Sequence, residues 1–118
     1  MLSDIHSNIA DDWGGSPFTG ERLQRYREQA PIIHAAKIKA PTLLLHNTGD
    51  QRVPITGAYM MYHLLQDNGV KTKLVAYPMG GHQPGDPVHA RDVLRRWADW
   101  IKQHLETTTK AEAITAPR

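Results

Sequence analysis

Two residues of this chain have the types and the setting to move a proton together: Asp50 and His82. Asp50 lies in Asn47-Thr48-Gly49-Asp50-Gln51-Arg52-Val53-Pro54, directly after the apolar run Thr42-Leu43-Leu44-Leu45-His46. His82 lies in Pro78-Met79-Gly80-Gly81-His82-Gln83-Pro84, directly after Lys73-Leu74-Val75-Ala76-Tyr77. In open parallel sheets, functional groups gather in the loops past the C-terminal ends of the strands. Neighbouring strands lie about 4.8 Å apart, so the two loops would present the carboxylate and the imidazole side by side. An acid that orients an imidazole serving as general base needs that juxtaposition. The Gly80-Gly81 pair before His82 allows a tight bend and close approach to the ring.

The plainer alternatives are a turn aspartate, since Gly-Asp favours turns, and a loop histidine without a chemical role. The chain contains no cysteine, which excludes disulfides, thiolate metal sites and a Cys nucleophile. His6, His34, His63, His89 and His104 show no convergent ligand spacing, so no metal site and no cofactor are expected. His46 closes an apolar strand and reads as a hydrogen-bonded core histidine.

The elements that must position the pair follow from periodicity. Residues 19–29 read as a helix ended by Pro31, and residues 32–36 as one further turn. Residues 42–46 and 73–77 read as strands buried on both faces, the second stopped by Pro78. Between them, residues 55–68 carry an apolar stripe of Ala58, Met61, Leu64 and Leu65, with Gly69 placed to end the helix. Tyr59, Met60, Met61 and Tyr62 read as a mixed packing surface. Asp86-Pro87 suits the start of a last helix, residues 86–105, whose Ala90, Val93, Leu94, Trp97, Ala98 and Ile101 recur at helical spacing. Trp97, Trp100 and Ile101 are read as its core face. The alternation of helices and strands predicts an α/β fold with short parallel strands and helices packed on the faces. Residues 1–18 read as a loop-rich segment, 19–105 as a partial domain and 106–118 as a mobile tail.

Composition narrows the classes of function. The 118 residues are 40% hydrophobic and 22% charged, and 14 Lys+Arg against 12 Asp+Glu leave a net charge of +2. These values fit a globular chain and exclude a collagen-like fibre, a coiled coil and disorder throughout. The arginine clusters at Arg22, Arg25 and Arg27 and at Arg91, Arg95 and Arg96 are interleaved with acids. They read as solvated helix faces, and no nucleic-acid partner is expected. No apolar run suggests a membrane span, so no membrane partner is expected either. The N-terminus lacks a signal-peptide pattern, which makes the cytoplasm the expected compartment.

Several blocks together resemble the C-terminal end of the prolyl-oligopeptidase family of α/β-hydrolase serine peptidases, which includes dipeptidyl and acylaminoacyl peptidases. These are Ile38-Lys39-Ala40-Pro41-Thr42-Leu43-Leu44-Leu45-His46, Asp50-Gln51-Arg52-Val53-Pro54, Leu74-Val75-Ala76-Tyr77-Pro78 and Gly81-His82. A closing helix with Arg95-Arg96-Trp97 and Trp100 follows them, and Gly14-Gly15-Ser16-Pro17 resembles a segment found there between nucleophile and acid. The resemblance covers roughly residues 12–105 and implies the C-terminal portion of an α/β-hydrolase fold. It implies further that Asp50 is the triad acid, His82 the triad base and Arg52 a loop-fixing arginine, with Gly81 supporting the histidine. Asn47 stands where the family often has Gly, and Gln83 where Gly usually follows the histidine.

The order of the triad in this architecture is Ser, then Asp, then His, with the serine on a Gly-x-Ser-x-Gly elbow. The serines present are Ser3, Ser7 and Ser16, and none has glycines at both −2 and +2 after an apolar strand. Ser16 has Gly14 before it but Phe18 two residues after it. The chain is therefore expected to supply an acid and a base without a nucleophile or an oxyanion hole, and to be inactive alone. A peptide or ester substrate would be turned over only with the upstream segment supplied. The alternative is a non-catalytic interaction or oligomerisation module. On either reading an exposed sheet edge favours a homo-oligomer.

Overall fold

The computed structural model describes residues 14–16, 18 and 20–115, with side chains as far as residue 105. The expected loop over residues 1–18 thus lies largely outside the described residues. Two compact units divide the chain, residues 1–82 and 83–118.

The first unit holds helix α1 (Arg22–Gln29), a 3-10 helix (Pro31–Lys37), strand β1 (Thr42–Gly49), helix α2 (Thr56–Asp67) and strand β2 (Thr72–Gly80). The β1-α2-β2 order produces the expected parallel pairing, with Thr42 opposite Thr72, Leu44 opposite Leu74 and His46 opposite Ala76. Thr42 N–H opens the ladder by donating to the Lys71 carbonyl at 2.9 Å. Helix α2 turns Ala58, Met61, Leu64 and Leu65 inward and leaves Tyr59 and Met60 exposed, as its apolar stripe requires. Its end is closed by Asn68 N–H to the Leu64 carbonyl, 3.1 Å, and Val70 N–H to the Leu65 carbonyl, 2.9 Å. Gly69 sits between them at φ +70°, a conformation that strains any residue with a Cβ. Leu65 is fully buried, and with Ala35 and Val70 it forms the apolar core.

Two expectations for the strands are corrected. Neither strand is buried on both faces. Residues 42–46 are half-buried and β2 mixes half-buried and exposed positions, because helix α2 is the one described helix that packs against the two strands. Nor does Pro78 stop β2, which runs on to Gly80. The register shifts there: Asn47 faces Tyr77 and Gly49 faces Gly80, so β2 uses one more residue than β1 over this stretch. A bulge of this kind tolerates the missing N–H of a proline.

The second unit is helix α3 (Pro87–Thr115) and its approach. Asp86 caps it as expected, its Oδ1 accepting the N–H groups of Val88 and His89 at 2.9 Å each. The backbone helix extends ten residues beyond the expected end at Leu105, since neither glycine nor proline interrupts it before Pro117. Its expected core face is also corrected. Trp100 is half-buried, whereas Leu94, Trp97 and Ile101 are exposed, Trp97 at 54%. The less exposed positions of the helix instead include Ala90 and Val93 together with polar His89, Asp92 and Arg96. Asp92 pairs with Arg95 and Arg96 at 2.6 Å each, the solvated charge network that the interleaved sequence predicts. No described helix is long and apolar enough to cross a membrane.

Candidate active site

The bulged end of the sheet sets the geometry of the two loops. A Cβ on Gly49 would stand 3.0 Å from both Gly80 Cα and the Met79 carbonyl oxygen, so any other residue here would press the two strands apart by a few tenths of an ångström. Asp50 follows Gly49 at once, and its N–H donates to the Asn47 carbonyl at 3.3 Å. The carboxylate is buried at 7% exposure. Its Oδ1 accepts the main-chain N–H groups of Arg52 and Val53, both at 2.9 Å, which makes a turn around the acid. Its Oδ2 faces His82 Nδ1 at 2.8 Å.

These contacts set the charge of Asp50 and the nitrogen that His82 turns towards it. Burial pushes the Asp50 carboxyl towards its neutral form, but the Val53 N–H, the His82 imidazole, the Arg52 N–H and the charge of His82 outweigh it. The net effect lowers the Asp50 pKa below the usual carboxylate value. An ionised carboxylate only accepts, so His82 Nδ1 carries the proton and donates it to Oδ2. In the neutral imidazole this leaves the lone pair on Nε2, on a side chain that is 40% exposed. An imidazole in this tautomer, anchored at one nitrogen and open at the other, has what a general base requires.

The other residues singled out from sequence fall into place around the pair. Gly81 adopts φ +80°, the left-handed turn that brings His82 back over the end of β1. Arg52 joins the site through its main-chain N–H to Asp50. His46 is half-buried, with Nε2 donating to the Val53 carbonyl at 2.6 Å and lying 3.6 Å from Asp50 Oδ2. It braces the same turn from the strand side. Ser16 Oγ accepts the Phe18 N–H at 3.2 Å, a local turn contact. No cluster of three potential metal-ligating side chains exists among the described residues.

Sequence reasoning missed two contributors. Gly49 was legible as a glycine at a strand end, where close backbone approach is a common cause. Asn47 was noted only as an unusual residue, yet it is buried, and its Nδ2 donates to the Gly81 carbonyl at 2.9 Å.

A parallel strand pair with an acid and a histidine at its C-terminal rim defines part of an α/β-hydrolase. The chain belongs to the prolyl oligopeptidase family (peptidase S9), whose sequence profile matches residues 1–108. It is 31% identical over 88 residues to the acylamino-acid-releasing enzyme of Arabidopsis thaliana, covering 75% of this chain and 12% of that protein. It is likewise 31% identical over 107 residues to the uncharacterized peptidase YuxL of Bacillus subtilis, covering 88% of this chain and 16% of that one. Among solved structures, the acylaminoacyl peptidase of Pyrococcus horikoshii superposes with a TM-score of 0.76 at 29% identity, covering 88% of this chain and 17% of that enzyme. The chain therefore spans less than a fifth of the length of these relatives.

Proposed function

We propose that this chain carries the acid and the base of a serine-peptidase triad, and that it is inactive without a nucleophile from outside its 118 residues. The observation that supports this most directly is the 2.8 Å contact between His82 Nδ1 and Asp50 Oδ2. In the proposed reaction, His82 Nε2 takes the proton of a serine hydroxyl as Oγ attacks the carbonyl carbon of a peptide or ester. Asp50 holds the imidazolium that results. His82 then returns the proton to the leaving amine or alcohol, an acyl-serine remains, and water repeats the sequence to release the acid. An oxyanion hole would have to come from the same missing segment as the serine.

The purified chain, incubated with a fluorophosphonate probe and weighed intact, is expected to gain no adduct, while a complete serine hydrolase labels in parallel. A single covalent adduct would overturn the missing-nucleophile argument, because one of Ser3, Ser7 and Ser16 would then be activated.

A second reading is carried by the sheet itself. It has two strands, so each leaves one edge without a ladder partner among the described residues. Open apolar edges template strand pairing, and a second copy of the chain pairing along one of them would make a homodimer. Sedimentation equilibrium is expected to show a monomer–dimer equilibrium at micromolar concentration. A strictly monomeric chain over the whole concentration range would remove this reading.

A further inference from the structure

We propose that Asn47 is a positioning residue for the acid–base pair, a role that rests on reading Asp50 and His82 as catalytic. Asn47 sits at the register shift that ends the regular part of the sheet. Its two polar ends reach the two halves of the pair. Its main-chain carbonyl accepts the Asp50 N–H at 3.3 Å, and its side-chain Nδ2 donates to the Gly81 carbonyl at 2.9 Å. That carbonyl lies in the peptide plane that also contains the His82 Cα, so fixing its direction leaves only φ, χ1 and χ2 of His82 between the anchored plane and the imidazole.

The anchoring is needed because of the residue it acts on. Gly81 stands at φ +80° and, having no Cβ, can populate either sign of φ with little penalty. Left to itself, a glycine at this point would let the imidazole swing away from Asp50. The Asn47 amide is buried at 7% exposure, where a hydrogen bond is shielded from competing water. Asn47 therefore closes a second path between acid and base, parallel to the direct contact. A glycine or alanine in its place keeps the strand but loses this path.

The tautomer of His82 reports the path. In the 118-residue chain labelled with 15N at histidine, ring nitrogen shifts distinguish Nδ1–H from Nε2–H directly. The wild type is expected to hold His82 as the Nδ1–H form. Asn47→Ala and Asn47→Gly are each expected to lower the ratio of Nδ1–H to Nε2–H about tenfold, the scale of one buried hydrogen bond. Protection of the β1 amides at Leu43 to Leu45 should stay within twofold of wild type. A purely structural role would move that protection and leave the tautomer ratio alone, which overturns the proposal. So would an unchanged ratio in both variants, or the failure of both to fold. Asp50→Asn separates the two readings. If wild-type His82 is already Nε2–H and Asp50→Asn changes nothing, the acid–base reading itself fails. If Asp50→Asn shifts the ratio and the Asn47 variants do not, only the positioning role fails.

Discussion

Asp50→Asn is expected to abolish proton transfer at His82 while leaving the loop around residue 50 folded. The asparagine carbonyl oxygen can still accept the N–H groups of Arg52 and Val53, which hold Oδ1 at 2.9 Å each. Its amide, however, presents donors where Oδ2 accepted from His82 Nδ1 at 2.8 Å. The imidazole then turns its lone pair to the amide and carries its proton on Nε2, the nitrogen that should receive one. In a polypeptide that joins this chain to a nucleophile-bearing segment, kcat is expected to fall about 10⁴-fold, the effect of imposing the wrong tautomer on a triad histidine. Initial rates on a chromogenic ester measure it, and a loss below about tenfold would overturn the proposed role of Asp50 as triad acid.

The same substitution has a signature in acid. The folded-state pKa of Asp50 lies below its ordinary value, so the ionised carboxylate favours the folded chain. That contribution is complete above the unfolded-state pKa and is lost as pH falls through the folded one. Wild type should therefore lose stability as pH drops from about 5, near the top of the range in which such carboxylates protonate. Asp50→Asn should be less stable at neutral pH and show a flatter acid limb in urea titrations at several pH values. Parallel limbs for the two proteins would show that Asp50 is not the group being read.

The largest effect on folding is expected from Leu65→Ala. Leu65 is the one fully buried large side chain among the described residues, and the apolar core around it consists of Ala35 and Val70. Truncating a buried leucine costs about 2–5 kcal/mol, the higher values where the cavity cannot collapse. Whole domains have net stabilities of about 5–15 kcal/mol, and small ones lie at the low end. The Leu65 carbonyl also receives the Val70 N–H that closes helix α2, so loosening this position loosens the entry into β2. Circular dichroism in urea should show the midpoint moving to a small fraction of the wild-type value. A change below about 1 kcal/mol would mean that the first unit draws its stability from elsewhere.

Both positions were reachable from the sequence, but for different reasons. Leu65 belongs to a 3.6-residue stripe and was legible as core because a helix repeats its inward face regularly. Asp50 and His82 were legible as a pair because two apolar runs separated by a helix imply parallel strands, and parallel strands put their following loops at one rim. The apolar stripe of α3 was misread for the same regularity: Leu94, Trp97 and Ile101 have the spacing of a core face, yet they are exposed. Spacing states which residues share a side of a helix. It does not state whether anything covers that side.

What the sequence by itself determined is thus the order of elements, the parallel pairing, the family and the two residues that face each other at the rim. The tertiary structure alone decided how that rim is built. The bulge that carries β2 past Pro78, the close approach of Gly49 to Gly80 and the bridge from Asn47 to Gly81 all join segments about 30 residues apart. Propensity and periodicity are sums over neighbours along the chain, and contacts of this kind enter no such sum. They exist only once the strands have closed, when distances between backbone atoms, rather than residue types, settle which groups meet.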